Sequence, residues 1–187
     1  MRVVASVWEE LPAQNRRWLI VNALVATMAI NVIVNAALAW LGVQGQDSVS
    51  MWGVPLVETS IFWNLVGTLF LLPLLTCVLT TGVIRRDVRR GALPPLDRLR
   101  STQRWLVALP PSRWRRGVAL GALLTAVLAP PLVLVLVASG SPELSLDRFV
   151  VYQTIFAVLL GIVVTPPIAL FAMADPDPAT LRDDPAR

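Results

Sequence analysis

The sequence predicts an all-α membrane protein of four transmembrane helices, built as two tandem helical hairpins with a cytoplasmic amphipathic helix between them. Three observations carry this. Of the 187 residues, 56% are hydrophobic and 15% charged, against roughly 45–50% and 25% in soluble domains. Four runs (18–42, 59–84, 117–139 and 149–173) hold no charged residue, and each exceeds the ~20 residues that a helix needs to cross ~30 Å of hydrocarbon. All sixteen basic residues are Arg, and ten of them lie between the second and third runs.

The first run, from Trp18 to Gly42, follows Asn15-Arg16-Arg17-Trp18-Leu19 and contains Ala37-Leu38-Ala39. These features resemble a secretory signal with its cleavage site. The run is too long for the usual ~7–15-residue signal core, so it reads as an anchor helix. The second runs from Thr59 to Ile84, the third from Gly117 to Ser139 and the fourth from Phe149 to Met173.

Arg placement sets the orientation. The loop 85–116 holds ten Arg against Asp87 and Asp97, whereas 43–58 holds Asp47 and Glu58 and no Arg. The positive-inside rule makes the Arg-rich loop cytoplasmic, and with four helices both termini follow it. The chain then divides into a cytoplasmic N-terminal segment (1–17), a first transmembrane hairpin (18–84), a basic cytoplasmic loop (85–116), a second transmembrane hairpin (117–173) and an acidic cytoplasmic tail (174–187). Trp18, Trp40 and Trp63 fall at run ends, where aromatic belts form.

An internal repeat is suggested by identities. At an offset of 94, Ser60-Ile61-Phe62 falls on Thr154-Ile155-Phe156, and Leu65, Gly67 and Pro73 fall on Leu159, Gly161 and Pro167. More weakly, Arg16-Arg17 falls on Arg115-Arg116 and Gly42 on Gly140. Two hairpins related by a pseudo-two-fold along the membrane normal would follow, as in parallel transporter repeats.

Polar residues inside the runs mark the candidate site. Thr27, Asn31 and Asn35 share one face of the first helix, and Asn64, Thr68, Thr76 and Thr80 share one face of the second, by their spacing of four or its multiples. Their depths match in an antiparallel pair, so the stripes are expected to face each other. They read either as interhelical hydrogen bonding or as a polar path or ligand site built from Thr27, Asn31, Asn35, Asn64 and Thr68. On the third and fourth helices the reading takes up only Thr125 and Thr165, which assigns any site to the first hairpin. Pro130-Pro131 and Pro166-Pro167 are expected to kink or break their helices. Between the first two runs, Met51–Val57 is apolar but too short to span, and Glu58 is a candidate cap for the second helix.

In the basic loop, Pro94-Pro95 and Pro110-Pro111 bracket 96–109. Leu96, Leu99 and Leu106 recur at near-helical spacing, with Arg98, Arg100, Arg104 and Trp105 among them. This predicts an amphipathic helix on the inner leaflet, its basic residues contacting anionic lipid, or else a docking surface for a soluble partner.

The stretch Arg86-Asp87-Val88-Arg89-Arg90-Gly91-Ala92-Leu93, with Leu106-Val107-Ala108-Leu109-Pro110-Pro111-Ser112-Arg113-Trp114 and the apolar helix after it, resembles the loop between the second and third helices of bacterial ABC-type exporter permeases of the type-2 class. The resemblance covers about residues 82–125 and implies a cytoplasmic loop facing a separate ATPase subunit. That family has six membrane helices rather than four. It also implies residence in the bacterial cytoplasmic (inner) membrane.

No His occurs, the single Cys77 has no nearby base, and every Asp and Glu lies outside the apolar runs. Catalysis, a metal or cofactor site, proton relay and nucleic-acid binding are therefore not expected. What remains is a small permease-like protein or transporter subunit, or a non-transporting structural or assembly subunit of a larger membrane complex. Its partners are the bilayer and either a separate ATPase, another membrane subunit or further copies of itself.

Overall fold

A computed structural model describes residues 11–54, 58–96, 110, 112–140 and 143–175. Four helices are long and apolar enough to cross a membrane: α1 (Ala13–Gly42), α2 (Ile61–Arg89), α3 (Arg113–Ala138) and α4 (Leu146–Met173). Two short strands, β1 (Ser48–Ser50) and β2 (Glu143–Ser145), follow α1 and α3. The protein is a polytopic, mostly helical, membrane-spanning bundle.

Within α1, Leu19–Ala26 is wound as a π-helix between two α-helical stretches, a feature that composition does not signal. Ser60, rather than Glu58, caps α2: its hydroxyl accepts from the Trp63 backbone N–H at 3.4 Å. Ser combines an extended backbone with a short oxygen that reaches back to the first turn. The Pro pairs do not break their helices, since α3 continues through Pro130-Pro131 and α4 through Pro166-Pro167. A Pro pair forfeits only two hydrogen bonds, and the flanking turns and neighbouring helices keep the path helical.

The helices are arranged differently from two separate hairpins. The central pair is α2 and α4; α3 packs on α2, and α1 packs on α4. This order is two-fold about the central pair. The strands repeat the symmetry, because β1 and β2 pair antiparallel about Val49 and Leu144, with Ser48 opposite Ser145 and Ser50 opposite Glu143. Gly45 (φ 82°) and Gly140 (φ 67°) each stand three residues ahead of a strand and make the left-handed turn out of the preceding helix. The equivalence is therefore Gly45 with Gly140, not Gly42 with Gly140.

The repeat register in the other helices also changes. Thr68 of α2 accepts from the Gln153 side chain of α4 at 2.7 Å. The identity alignment would set Thr68 against Ile162, nine residues further along, or about 13 Å of helix rise. The matched Ile, Gly and Pro residues of α2 and α4 therefore lie at different depths. Apolar composition accounts for such identities without common position.

Three apolar clusters stack along the bundle. At the ribbon end, Ala39 of α1 and Val43 just after it meet Val49, Met51, Ile61 and Phe149. At the opposite, arginine-rich end, Leu11 and Leu19 join Ile84, Leu93, Ala169 and Met173. The middle cluster is built from α2 and α4 with α3 packed against it, and among the described residues none of α1 joins it. There α3 lies close on α2, because Gly117 and Gly121 present no side chain. A Cβ on Gly121 would stand 2.6 Å from the Phe70 carbonyl oxygen, and one on Gly117 2.8 Å from the Leu74 side chain. Small residues four apart are the usual means of close helix approach in a bilayer, where apolar surface alone gives no preference for protein over lipid.

The arginine end is closed by charge. Arg116 is 0% exposed, and its Nη2 donates to Asp175 Oδ1 at 2.7 Å. Arg85 Nη2 donates to the other oxygen of Asp175 at 3.1 Å, and Phe171 lies under the Arg116 guanidinium at 5.3 Å. One carboxylate thus joins α2, α3 and the end of α4. The base of α1 is held by hydrogen bonds: Asn15 Nδ2 donates to the Pro94 carbonyl at 3.1 Å, and Trp18 Nε1 to the Asp87 carboxylate at 3.0 Å. Of the predicted amphipathic helix only Leu96 falls among the described residues, and its N–H donates to the Met173 carbonyl. Arg98, Arg100, Arg104 and Trp105 lie outside them.

Candidate functional site: a groove between the first and second helices

Because α1 meets its neighbours at both ends but stays out of the middle cluster, a cleft of about 650 Å³ opens between α1 and α2. This is within the ~300–1,000 Å³ of small-ligand sites. Its lining runs from Trp18 and Val83 at the arginine end to Leu38 and Asn64 near the ribbon. Thr27, Asn31, Asn35, Asn64 and Thr68 all lie on it, as do Thr76 and Thr80. The two polar stripes thus line one space.

They do not bond to each other across it. Each stripe bonds mainly along its own helix. Asn35 Nδ2 donates to the Asn31 carbonyl at 3.0 Å, Thr27 Oγ1 to the Asn22 carbonyl at 3.1 Å, and Thr68 Oγ1 lies 3.4 Å from Asn64 Oδ1. Among the described residues the α1 and α2 stripes exchange no hydrogen bond, so they do not tie α1 to α2 directly; the interhelical bond of the α2 stripe is that of Thr68 to α4.

The bridge comes from α4, which carries Gln153 and Gly161. Gln153 is 4% exposed and lies on the cleft, donating to Thr68. Asn31 fills the space above Gly161, where a Cβ would overlap its carboxamide. Two atoms at the site lack hydrogen-bond partners among the described residues, the acceptor Gln153 Oε1 and the donor Asn31 Nδ2. The site is thus not confined to the first hairpin. Gln153 was identifiable as a carboxamide in an uncharged run, the same signal that marks Asn31 and Asn35. Gly161 gives no such signal, since its role depends on which residue stands opposite.

None of the lining residues is ionisable. Among the described residues no group of three or more His, Cys, Asp or Glu could hold a metal ion. The site can offer neutral hydrogen bonds between apolar walls. It has no counter-charge for an ion.

No family model matches this chain, and neither a curated protein nor a solved structure is significantly similar to it.

Proposed function

We propose that this chain is a small permease-like membrane protein or transporter subunit whose path is the cleft between α1 and α2. The observation that carries the reading is convergence: eight Asn and Thr side chains of α1 and α2, together with Gln153 of α4, line one cleft along the bundle. Intramembrane polar groups are costly in lipid, and they concentrate along pathways and binding sites. The chain performs no catalysis in this reading. It sits in a bacterial inner membrane with both termini cytoplasmic, and it relies on a separate ATPase or another subunit for any energy input. The Arg-rich loop contacts anionic lipid on the cytoplasmic side. Reporter fusions after Val43 and Gly140 should then read outside, and one at Gly91 inside.

The path is tested with Cys at position 31 or 35 in a Cys77→Ala background. Both should react with a water-soluble thiol reagent, whereas Cys at 33, where Ile33 is exposed on the outside of the bundle, should not. Complete protection at 31 and 35 in a folded protein would remove the path.

The second reading is a non-transporting assembly subunit. It is favoured by α3, of which only Arg116, Gly117 and Gly121 are buried. A larger complex would cover that long apolar face, and a dry cleft would go with it.

A further inference from the structure

We propose that the cleft binds an uncharged chain molecule, a single apolar chain bearing a hydroxyl or an amide, with its polar group held at Gln153. This rests on the cleft being the functional part of the chain, as proposed above. Gln153 carries the inference. Its side chain is almost wholly buried, one end is fixed on Thr68, and Oε1 is left with no donor among the described residues. A buried acceptor without a partner is costly, and a ligand O–H or N–H that meets it, once the carboxamide turns toward the cleft that Gln153 lines, recovers that cost.

Asn31 adds the complementary group. Its Nδ2 is a buried donor without a partner, placed by its contact with Gly161. Gly161 lies eight residues beyond Gln153 on α4, roughly 12 Å along the axis. An acceptor and a donor thus stand apart along one elongated cleft, which suits a molecule lying lengthwise in it. Between them lie Val34 and Leu38 on one side and Leu71 and Leu75 on the other, with Asn35 the polar side chain of α1 on that stretch. A carboxylate, phosphate or ammonium group would find no opposite charge at this depth, and an unpaired ion in low dielectric is strongly disfavoured. A plain hydrocarbon would leave Gln153 unsatisfied. The chemistry that fits both facts is a neutral polar group on an apolar chain.

The test uses the intact protein in lipid nanodiscs and a diazirine-bearing photoactivatable analogue of dodecanol, with adducts mapped by mass spectrometry. Adducts should fall on the cleft walls, at Val34, Leu71 and Leu75. Dodecanol and dodecanamide should displace the probe, whereas dodecane, dodecanoate and dodecyltrimethylammonium should not. Gln153→Met should lower probe affinity on the order of tenfold, the size of one neutral hydrogen bond. Equal competition by dodecane or by the charged chains would overturn the proposal, with no variant needed, and so would adducts spread over the lipid-facing surface. Headgroup-selective binding with residues 31 and 35 sealed from aqueous thiol reagent would uphold the ligand and remove the path. Aqueous labelling without headgroup selectivity would do the reverse.

Discussion

The helices α1 and α3 occupy equivalent places on either side of the α2–α4 pair, yet a cleft opens beside α1 whereas α3 lies tightly on α2. Where α3 crosses α2 it offers Gly117 and Gly121, and the helices close until a Cβ would strike Phe70 and Leu74. Where α1 crosses α4 it offers Asn31, whose carboxamide occupies the place above Gly161 that a closer backbone would take. Helix association in lipid depends on packing and hydrogen bonds rather than on a hydrophobic drive. The depth of each contact is therefore set by residue size at one or two positions. A two-fold architecture thus carries a close-packed side and an open side, and the difference lies in a few side chains.

The strongest way to break this comparison is to remove the charge that anchors the close-packed side. Asp175→Ala would leave Arg116 buried without its carboxylate. Loss of one partner from a buried ion pair typically costs about 3–5 kcal/mol. Unfolding in mixed micelles should show a loss of that order, since α2, α3 and the end of α4 all meet at this residue. A change below ~1 kcal/mol would mean that Arg116 is rescued by water and that the end is more open than its burial indicates.

A smaller effect is expected from packing alone, and it separates the two sides directly. Gly121→Ala places a methyl group against the Phe70 carbonyl and should cost roughly 1–3 kcal/mol. Gly67→Ala, on the cleft face of α2, meets nothing within 4 Å and should stay within ~0.5 kcal/mol. Equal losses in the two variants would show that the cleft is closed in the bilayer.

Much of this was legible in the sequence, for reasons that differ by level. Span number followed from uncharged runs, because the bilayer admits few alternatives to an apolar helix. The polar stripes were legible through their spacing, and the structure lines one cleft with them. Helix neighbours were not legible. Loop length favours α1 beside α2, but the contacts depend on Gly117, Gly121 and Gly161, whose partners are distant in sequence. The buried pair at the arginine end was hidden as well. Arg116 counts toward the positive-inside bias like any other Arg, and nothing local says that Asp175 will fold back over it. The repeat was half legible: Gly45 and Gly140 carry it in the ribbon, while the identities in α2 and α4 point to a register that the Thr68–Gln153 bond excludes.

The smallest expected change is also the one that says what the open side is for. Gln153→Met keeps the length and bulk of the side chain and removes both its donor and its unpartnered acceptor. If the amide were structural glue, its bond to Thr68 would be the reason for keeping it, and the variant should lose about 1–2 kcal/mol. If the amide is held ready for a ligand, the resting protein carries the cost of the unpartnered Oε1. Replacement by an apolar group of similar shape is then nearly neutral or slightly stabilising. Thr68 retains Asn64 as a neighbour at 3.4 Å, so little else is orphaned. We expect a change within ~0.5 kcal/mol in either direction in mixed micelles without added ligand. Gly67→Ala serves as a second near-neutral control on the same cleft. A loss above ~2 kcal/mol would identify Gln153 as part of the packing of α2 on α4, as glycine is for α3 on α2, and the contrast between the two sides would then be one of degree.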